Sequence, residues 1–345
     1  MGEFMGIREA LGELAAGKRL TAAQAESLFE DLLGGLLDDA QIGAALALIQ
    51  ARSPSIHELV GAARAMRRHA TPIQCAAGQS GVVLDTCGTG GTPKTFNIST
   101  IAAIVVAAAA PGKVRVAKHG NRSRSGRGSA EVLAALGVNV DAPPTVQARC
   151  LEEAGVCFCF AVHHHPAAKH AANARRSLGF PTLFNLLGPL TNPAGATHQL
   201  IGVYEGAVVE LVAQALAELG AYRALVVHGR DGMDEISTTE RTMAALVEDG
   251  RVRTLEIDAQ SLGIPRATMD QLQAADLDAA VAIARRVLGG GGGPTRDIVV
   301  LNAAAALWVA GAATTISAGM GLAAGAIDSG AAAGTLARLV ELSRV

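Results

Sequence analysis

Four segments of this sequence gather residue types suited to holding anions and a divalent cation. The first runs from Asp85 to Thr100, where Gly88, Gly90 and Gly91 follow a strand-like stretch and Thr95, Asn97, Ser99 and Thr100 lead into an apolar helical run. Glycine lets backbone N–H groups approach an anion closely, and a helix N-terminus adds partial positive charge. Taken alone the stretch also reads as a turn and a helix cap, and without a Gly-Lys-Ser/Thr ending it is no Walker loop. The second segment, Lys113 to Arg127, carries Lys113, Arg115, Lys118, Arg122, Arg124 and Arg127 with no acid, interleaved with His119, Gly120, Asn121, Ser123 and Ser125. Such a run is often a solvated loop. Here, following a strand and mixed with hydroxyls and glycines, it suits a multidentate grip on phosphate and diphosphate. No aromatic residue is interleaved to stack on bases, which counts against nucleic acid.

The third segment is His163-His164-His165-Pro166, followed by Lys169, Arg175 and Arg176 and then by Phe184 to Pro193. Adjacent histidines cannot converge on one ion as i, i+4 helix positions do, so the run predicts a polar loop at a strand end, stiffened by prolines. The fourth, His228 to Ser237, sets Asp234 beside Glu235 just after a buried strand. One or two carboxylates, waters and substrate phosphate oxygens are what Mg²⁺ takes, although a solvated acidic loop explains the pair when it stands alone.

The elements that must position these residues read in two styles. Up to about Ala70 the chain is a run of short helices: Thr21 with Gln24 and Ser55 with Glu58 fit capping boxes, and Leu28, Phe29, Leu32 and Leu33 recur at helical spacing. Beyond it, buried strands are expected at Val82–Asp85, Val114–Val116, Val156–Ala161, Leu200–Tyr204 and Ala224–Val227, with helices at Ser99–Ala110, Ser129–Leu136 and Val208–Leu219. Strand–helix alternation predicts an α/β fold with a mostly parallel central sheet, and ligands then bind beyond the carboxyl ends of its strands. The Gly-rich and polar segments follow the strands directly. Gly289 to Pro294 reads as a connection and not a phosphate loop, since no strand leads into it.

Composition excludes several classes. Half of the 345 residues are hydrophobic and 3% are aromatic, far from a disordered chain. A net charge of −2 gives no general attraction to nucleic acid or anionic lipid, so anion binding must be local. The most apolar stretches, Ile101–Ala110 and Ile298–Ala310, are too short to span a bilayer, and no signal-peptide pattern opens the sequence. Five cysteines without framework spacing suggest free thiols in a reducing cytoplasm, with Cys157 and Cys159 on a buried strand.

Together the four segments resemble the anthranilate phosphoribosyltransferases. GTGG at 88–91 with TFNIST at 95–100, KHGNR at 118–122, HHHP at 163–166, FNLLGPLTNP at 184–193 and HGRDGMDEIS at 228–237 occur in that family's order and at similar spacing. The resemblance implies a small all-helical domain, residues 1–75 with about 166–193 returning to it. It implies a large α/β domain, 76–165 and 194–345, of the nucleoside phosphorylase/phosphoribosyltransferase-like kind, with the site in the cleft. It also implies a homodimer and Mg²⁺ as cofactor, with anthranilate and 5-phosphoribosyl 1-diphosphate as substrates.

Carried over by residue, Gly88, Gly91, Thr92, Thr95, Asn97, Ile98, Ser99 and Thr100 would hold the phosphoribosyl diphosphate from one side. Lys118, His119, Gly120, Asn121, Arg122, Ser123, Ser125 and Ser129 would hold it from the other. Gly88, Asn121 and Arg175 match the anthranilate positions, Arg175 complementing the carboxylate, and Ser99, Asp234 and Glu235 match the metal ligands. Two loops depart from the family pattern: Thr92-Pro93-Lys94 lacks the usual Asp and is one residue shorter, and Ser125 to Ser129 is also one residue shorter. No protein nucleophile is expected, because the anthranilate amine attacks the anomeric carbon itself. The rival readings are a pyrimidine-nucleoside phosphorylase-like enzyme, which should lack these motifs together, and a non-catalytic nucleic-acid-binding relative, which the neutral charge disfavours.

Overall fold

The computed structural model describes residues 6–74, 81–90, 95–123 and 126–345. Four helices come first: α1 (Ile7–Ala15), α2 (Ala22–Leu33), α3 (Asp39–Ala51) and α4 (Ile56–Arg68). Thr21 with Gln24 and Ser55 with Glu58 close the capping boxes that their spacing predicts, and Asp38 with Gln41 closes a third. Each such cap satisfies orphan N–H groups and contributes about 1 kcal/mol to its helix. Leu28, Phe29, Leu32 and Leu33 all point inward from α2. Helix α4 lies so close to α2 that a Cβ at Gly61 would stand 2.3 Å from the carbonyl oxygen of Ala22.

The rest of the chain is organised by one seven-stranded sheet of order β3-β2-β1-β4-β5-β6-β7. Its strands are β1 (Val82–Gly88), β2 (Val114–Gly120), β3 (Val156–Phe160), β4 (His198–Gly202), β5 (Arg223–Gly229), β6 (Thr242–Glu248) and β7 (Arg251–Ile257). The first five pair in parallel, linked by crossovers such as α5 (Ile98–Ala109), as strand–helix alternation predicts. The last two form an antiparallel hairpin that sequence reading did not anticipate. Its signal was the Asp249-Gly250 pair, whose φ angles of 51° and 71° are those of a two-residue hairpin turn.

Two apolar clusters flank the sheet. One joins α5 and helix Pro294–Val309 to Leu84, Val116, Leu200 and Leu225. The other joins α1–α4 to helix Val209–Glu218 and, through Cys87, Ile201, Val203 and Val226, to the opposite face. Ala171, Ala174, Leu183, Phe184, Leu187 and Leu190 also belong to this second cluster, so the chain returns to the helices after β3.

The histidine run is not the polar loop that its composition predicts. A short helix, Ala161–His164, follows β3, and His164 and His165 are buried. The ring nitrogens of His164 lie 2.7 Å from the Thr71 carbonyl and 2.7 Å from Gln147 Oε1, the partners that make burial of an imidazole tolerable. His163 stays half-exposed against Asp141, 2.8 Å away. Cys87, Cys150, Cys157 and Cys159 are buried free thiols, and Cys75 lies outside the described residues. Among the described residues no helix is long and apolar enough to cross a membrane.

Candidate active site

Parallel pairing brings the carboxyl ends of β1, β2, β4 and β5 to one edge of the sheet, with Gly88 beside Gly202 and Gly120 beside Phe160. The loops that follow β1, β2 and β5 meet there around a polar cavity of about 340 Å³. Gly88, Thr95, Asn97, Ser99, Thr100, Lys118, His119, Gly120, Asn121, Arg122, Ser123, Ser129, Asp234 and Glu235 all line it. A second cavity, of about 670 Å³, opens between the sheet edge and the helices and is lined by Met66, Cys87, His165, Lys169, Arg175, Phe184, Asn185 and Pro189. Gly88, Thr89 and the stretch His119 to Arg122 line both, so they form a common wall.

The polar cavity is held by cross-links between its loops. Lys118 Nζ donates to the Thr86 carbonyl at 2.6 Å and to Ser99 Oγ at 3.3 Å. The backbone N–H of Ser99 donates to Glu235 Oε1 at 3.0 Å, and that of Gly90 donates to Asp234 Oδ2 at 3.1 Å. Asn97 Nδ2 donates to the Arg127 carbonyl at 3.0 Å, and the Arg127 N–H donates to Ser123 Oγ at 3.0 Å, which ties the first loop to the second. Close packing explains two motif glycines: a Cβ at Gly88 would stand 2.5 Å from Asp234 Oδ2, and one at Gly120 would stand 2.3 Å from Ser129 Oγ.

Burial pushes the Glu235 carboxyl up to about 8, and the charge of neighbouring Asp234 adds to the effect while Lys118 opposes it. Two adjacent carboxyl groups at one site do not readily carry both negative charges until a cation joins them. Together with Ser99 Oγ they offer an all-oxygen donor set, which fits Mg²⁺ when substrate and water oxygens complete the shell. Among the described residues no group of three or more His, Cys, Asp and Glu is placed for a metal, so a site made wholly of such side chains is not built here.

The wall shared with the larger cavity carries a neutral imidazole. His119 is buried, and burial followed by the proximity of His165 brings its pKa down to about 3. Its Nδ1 lies 3.0 Å from the Gly188 carbonyl, which makes Nδ1 the protonated nitrogen and leaves Nε2 with a lone pair. That Nε2 is buried without a hydrogen-bond partner among the described residues. The Arg175 guanidinium stands 4.9 Å over the Phe184 ring on the far side of the cavity.

Most of the residues singled out by sequence therefore meet at the two cavities, with exceptions. Ile98 is buried in the first turn of α5 and lines neither. Arg175 does meet the site, lining the larger cavity but not the polar one. Gly91, Thr92, Pro93, Lys94, Arg124 and Ser125 lie outside the described residues. Sequence reading also missed residues that support the site. Asp85 accepts from the His119 N–H at 3.0 Å and from Asn192 Nδ2 at 2.8 Å, fixing the end of β2. Asp231 accepts from the hydroxyls of Ser237 and Thr239 within the carboxylate-bearing loop. Asn302 reaches the same loop from a helix of the apolar core.

Comparison with known proteins agrees with this architecture. Residues 8–70 match the helical bundle domain of a glycosyl transferase family, and residues 80–333 match the family's a/b domain. The chain is 48% identical over 341 residues to the anthranilate phosphoribosyltransferase of Rubrobacter xylanophilus, covering 98% of each. It is 46% identical over 336 residues to that of Moorella thermoacetica, covering 97% of each. The crystal structure of anthranilate phosphoribosyltransferase from Thermus thermophilus superimposes with a TM-score of 0.90 at 38% identity, over 97% of this chain and 99% of that one. The Saccharomyces cerevisiae enzyme, solved in complex with PRPP and Mg, shares the fold with a TM-score of 0.87 at 22% identity, over 98% of each chain. Motif order, two adjoining cavities at the strand ends and near-full-length identity converge: the chain belongs to the anthranilate phosphoribosyltransferase family.

Proposed function

We infer that this chain transfers the phosphoribosyl group of 5-phosphoribosyl 1-diphosphate to the amine of anthranilate, the family's step in tryptophan biosynthesis. The observation that carries the reading is the common wall. An anion-suited cavity and a larger cavity containing Arg175 meet at Gly88 and at His119 to Arg122, so a diphosphate on one side and an aromatic carboxylate on the other face the same atoms.

In this reading Thr95, Asn97, Ser99 and Thr100 bind the phosphates from the first loop, and Lys118, Asn121, Arg122, Ser123 and Ser129 bind them from the second. Gly91, Thr92 and Ser125 continue the two loops in sequence. Arg175 pairs with the anthranilate carboxylate, and Gly88 and Asn121 lie between the substrates. Asp234, Glu235 and Ser99 would hold Mg²⁺, which when bound supplies positive charge against the leaving diphosphate. The amine nitrogen forms its bond to the anomeric carbon as the carbon–oxygen bond to diphosphate breaks, and the proton lost from nitrogen leaves to solvent. An aromatic amine is a weak nucleophile, so leaving-group departure runs ahead and the ribose gains oxocarbenium character. The protein's contribution is to fix the two substrates in line and to stabilise charge with Lys118 and loop amides.

The small domain in this reading is 1–75 with about 166–193, and the large domain is 76–165 with 194–345; the shared apolar cluster of α1–α4 and Ala171 to Leu190 supports that division. We extend the reading to a homodimer acting in the cytoplasm, as in the family. Anthranilate fluorescence gives the test: it should fall only when 5-phosphoribosyl 1-diphosphate and Mg²⁺ are both present. Unchanged fluorescence in the complete mixture, with folded protein, would overturn the assignment.

A further inference from the structure

Helix Pro294–Val309 is buried along nearly its whole length, with Ile298, Val299, Leu301, Ala303, Ala304, Ala305, Ala306 and Leu307 at zero exposure. In the middle of it stands Asn302, also fully buried. An amide in such surroundings costs several kcal/mol unless its hydrogen bonds are made, and leucine would fill the space with no such demand. Asn302 makes three bonds. Its Nδ2 donates to the Ile298 carbonyl of its own helix at 2.9 Å and to the Ile236 carbonyl at 2.9 Å, while its Oδ1 accepts from the Ile236 N–H at 2.9 Å. The carboxamide thus engages both backbone groups of Ile236, as a neighbouring strand would.

Ile236 follows Glu235 directly and lies in neither a strand nor a helix. Its own backbone would otherwise be unsatisfied in the core, and the next residue is anchored as well: the Ser237 N–H donates to Thr242 Oγ1 at 2.9 Å. On the other side of the carboxylate pair, β4 presses so closely that a Cβ at Gly202 would stand 1.6 Å from the Asp234 carbonyl oxygen. The pair is therefore held between a strand end and the amide of Asn302. Fixing the backbone on both sides of the pair limits how far either carboxyl can move, as a pre-formed cation site requires.

We propose that Asn302 is a positioning residue for the carboxylate pair: by pairing with the backbone of Ile236 it holds Asp234 and Glu235 in place for a divalent cation before the cation arrives. The proposal rests on the reading of Asp234 and Glu235 as metal ligands. It assigns a role in the site to a residue 66 positions away in sequence, within a stretch that otherwise reads as apolar core. An uncharged amide suits the task, since it supports the loop from behind without competing with the cation for the carboxylates.

Mn²⁺ binding measured by electron paramagnetic resonance in the presence of pyrophosphate tests it, with Asn302→Asp and Asn302→Leu compared to the unaltered protein. Asn302→Asp keeps the volume and the acceptor and loses both donors. Folded variants should bind Mn²⁺ about 10–100-fold more weakly, the usual effect of removing a support behind a metal ligand, and should need proportionately more Mg²⁺ for half-maximal turnover. A lowered melting temperature with unchanged Mn²⁺ affinity would make Asn302 structural only and overturn the proposal. Hydrogen exchange on the unaltered protein needs no variant: the Ile236 amide should be protected without metal, whereas protection that appears only after Mn²⁺ and pyrophosphate are added would also overturn it. If the unaltered protein binds no Mn²⁺ at all, the metal reading of the pair fails; in that case the exchange measurement still reports whether Asn302 holds the loop.

Discussion

Gly202 and Asp234 are in such close register that a single methyl group on Gly202 would occupy the space of the Asp234 carbonyl oxygen. The obstacle is backbone, so it cannot rotate away as a side chain could. Gly202→Ala must therefore move the loop that carries the carboxylate pair. A displacement on the order of 1 Å at reacting groups costs about 10²-fold in rate. We expect kcat to fall by at least that factor, with the melting temperature lowered by a few degrees. Wild-type turnover by a folded Gly202→Ala protein would show that the loop's position is not critical.

Replacing both Asp234 and Glu235 with alanine should abolish turnover and leave the protein folded. Glu235→Gln alone should divide the two properties. It removes a carboxyl that burial holds well above its usual range, so the metal-free protein should be as stable as before or more so, while its requirement for Mg²⁺ rises. Melting curves without metal, read alongside Mg²⁺ titrations of activity, check both parts. Full activity of the double variant at ordinary Mg²⁺ concentration would remove the pair from the mechanism.

Arg175→Ala should weaken the use of anthranilate by roughly ten- to hundredfold, the equivalent of a lost charge-assisted hydrogen bond of about 1.5–3 kcal/mol. The KM for 5-phosphoribosyl 1-diphosphate should change much less, since Arg175 lines the larger cavity only. Lysine in its place should recover part of the effect, keeping the charge but losing the planar group that stacks on Phe184. Equal effects on both substrates would contradict a role confined to the carboxylate.

His119 and His165 give the protein an acid sensitivity of defined direction. Burial holds the first down at about 3 and the second at about 4, against 6.5 for an ordinary histidine. Their rings lie 5.0 Å apart; the proximity of His164 further disfavours protonation of both, and that of Lys118 disfavours protonation of His119. Above pH 6.5 both are neutral, folded or unfolded, and cost nothing. As pH falls from 6.5 towards 4 the unfolded chain takes up protons that the folded one refuses, so stability declines across that window. Replacing both with glutamine should flatten the fall in melting temperature between those limits. An unchanged slope would place the acid sensitivity elsewhere.

Much of the fold and of the site is legible from local signals in the sequence because the chemistry they reflect is local. Capping hydroxyls sit three residues from their partners at Thr21 and Ser55, and the phosphate-suited loops follow their strands directly. Features that depend on distant residues were not legible. Nothing near His164 announces that Thr71 and Gln147 will receive its nitrogens, so three adjacent histidines read as a solvated loop. Asn302 looks like one polar interruption in an alanine-rich helix until the fold brings Ile236 against it. The β6–β7 hairpin is a different case: Asp249-Gly250 is a local signal, but the strand–helix alternation of the rest of the chain predicts parallel pairing.

Leu183, Phe184 and Leu187 complete an apolar cluster begun by α1–α4, yet a strand of the sheet precedes them and another follows. During synthesis the four helices emerge from the ribosome on the order of a hundred residues before these side chains do. At a typical pace of about 5–20 residues per second, the nascent helices wait for roughly 5–20 s with part of their inner surface uncovered. Severing the chain after α4 would make that exposure permanent in both fragments. Neither piece should remain dispersed alone, whereas co-expressed pieces should cover each other, so the connectivity leaves the nascent helices prone to association until residues 183–187 arrive.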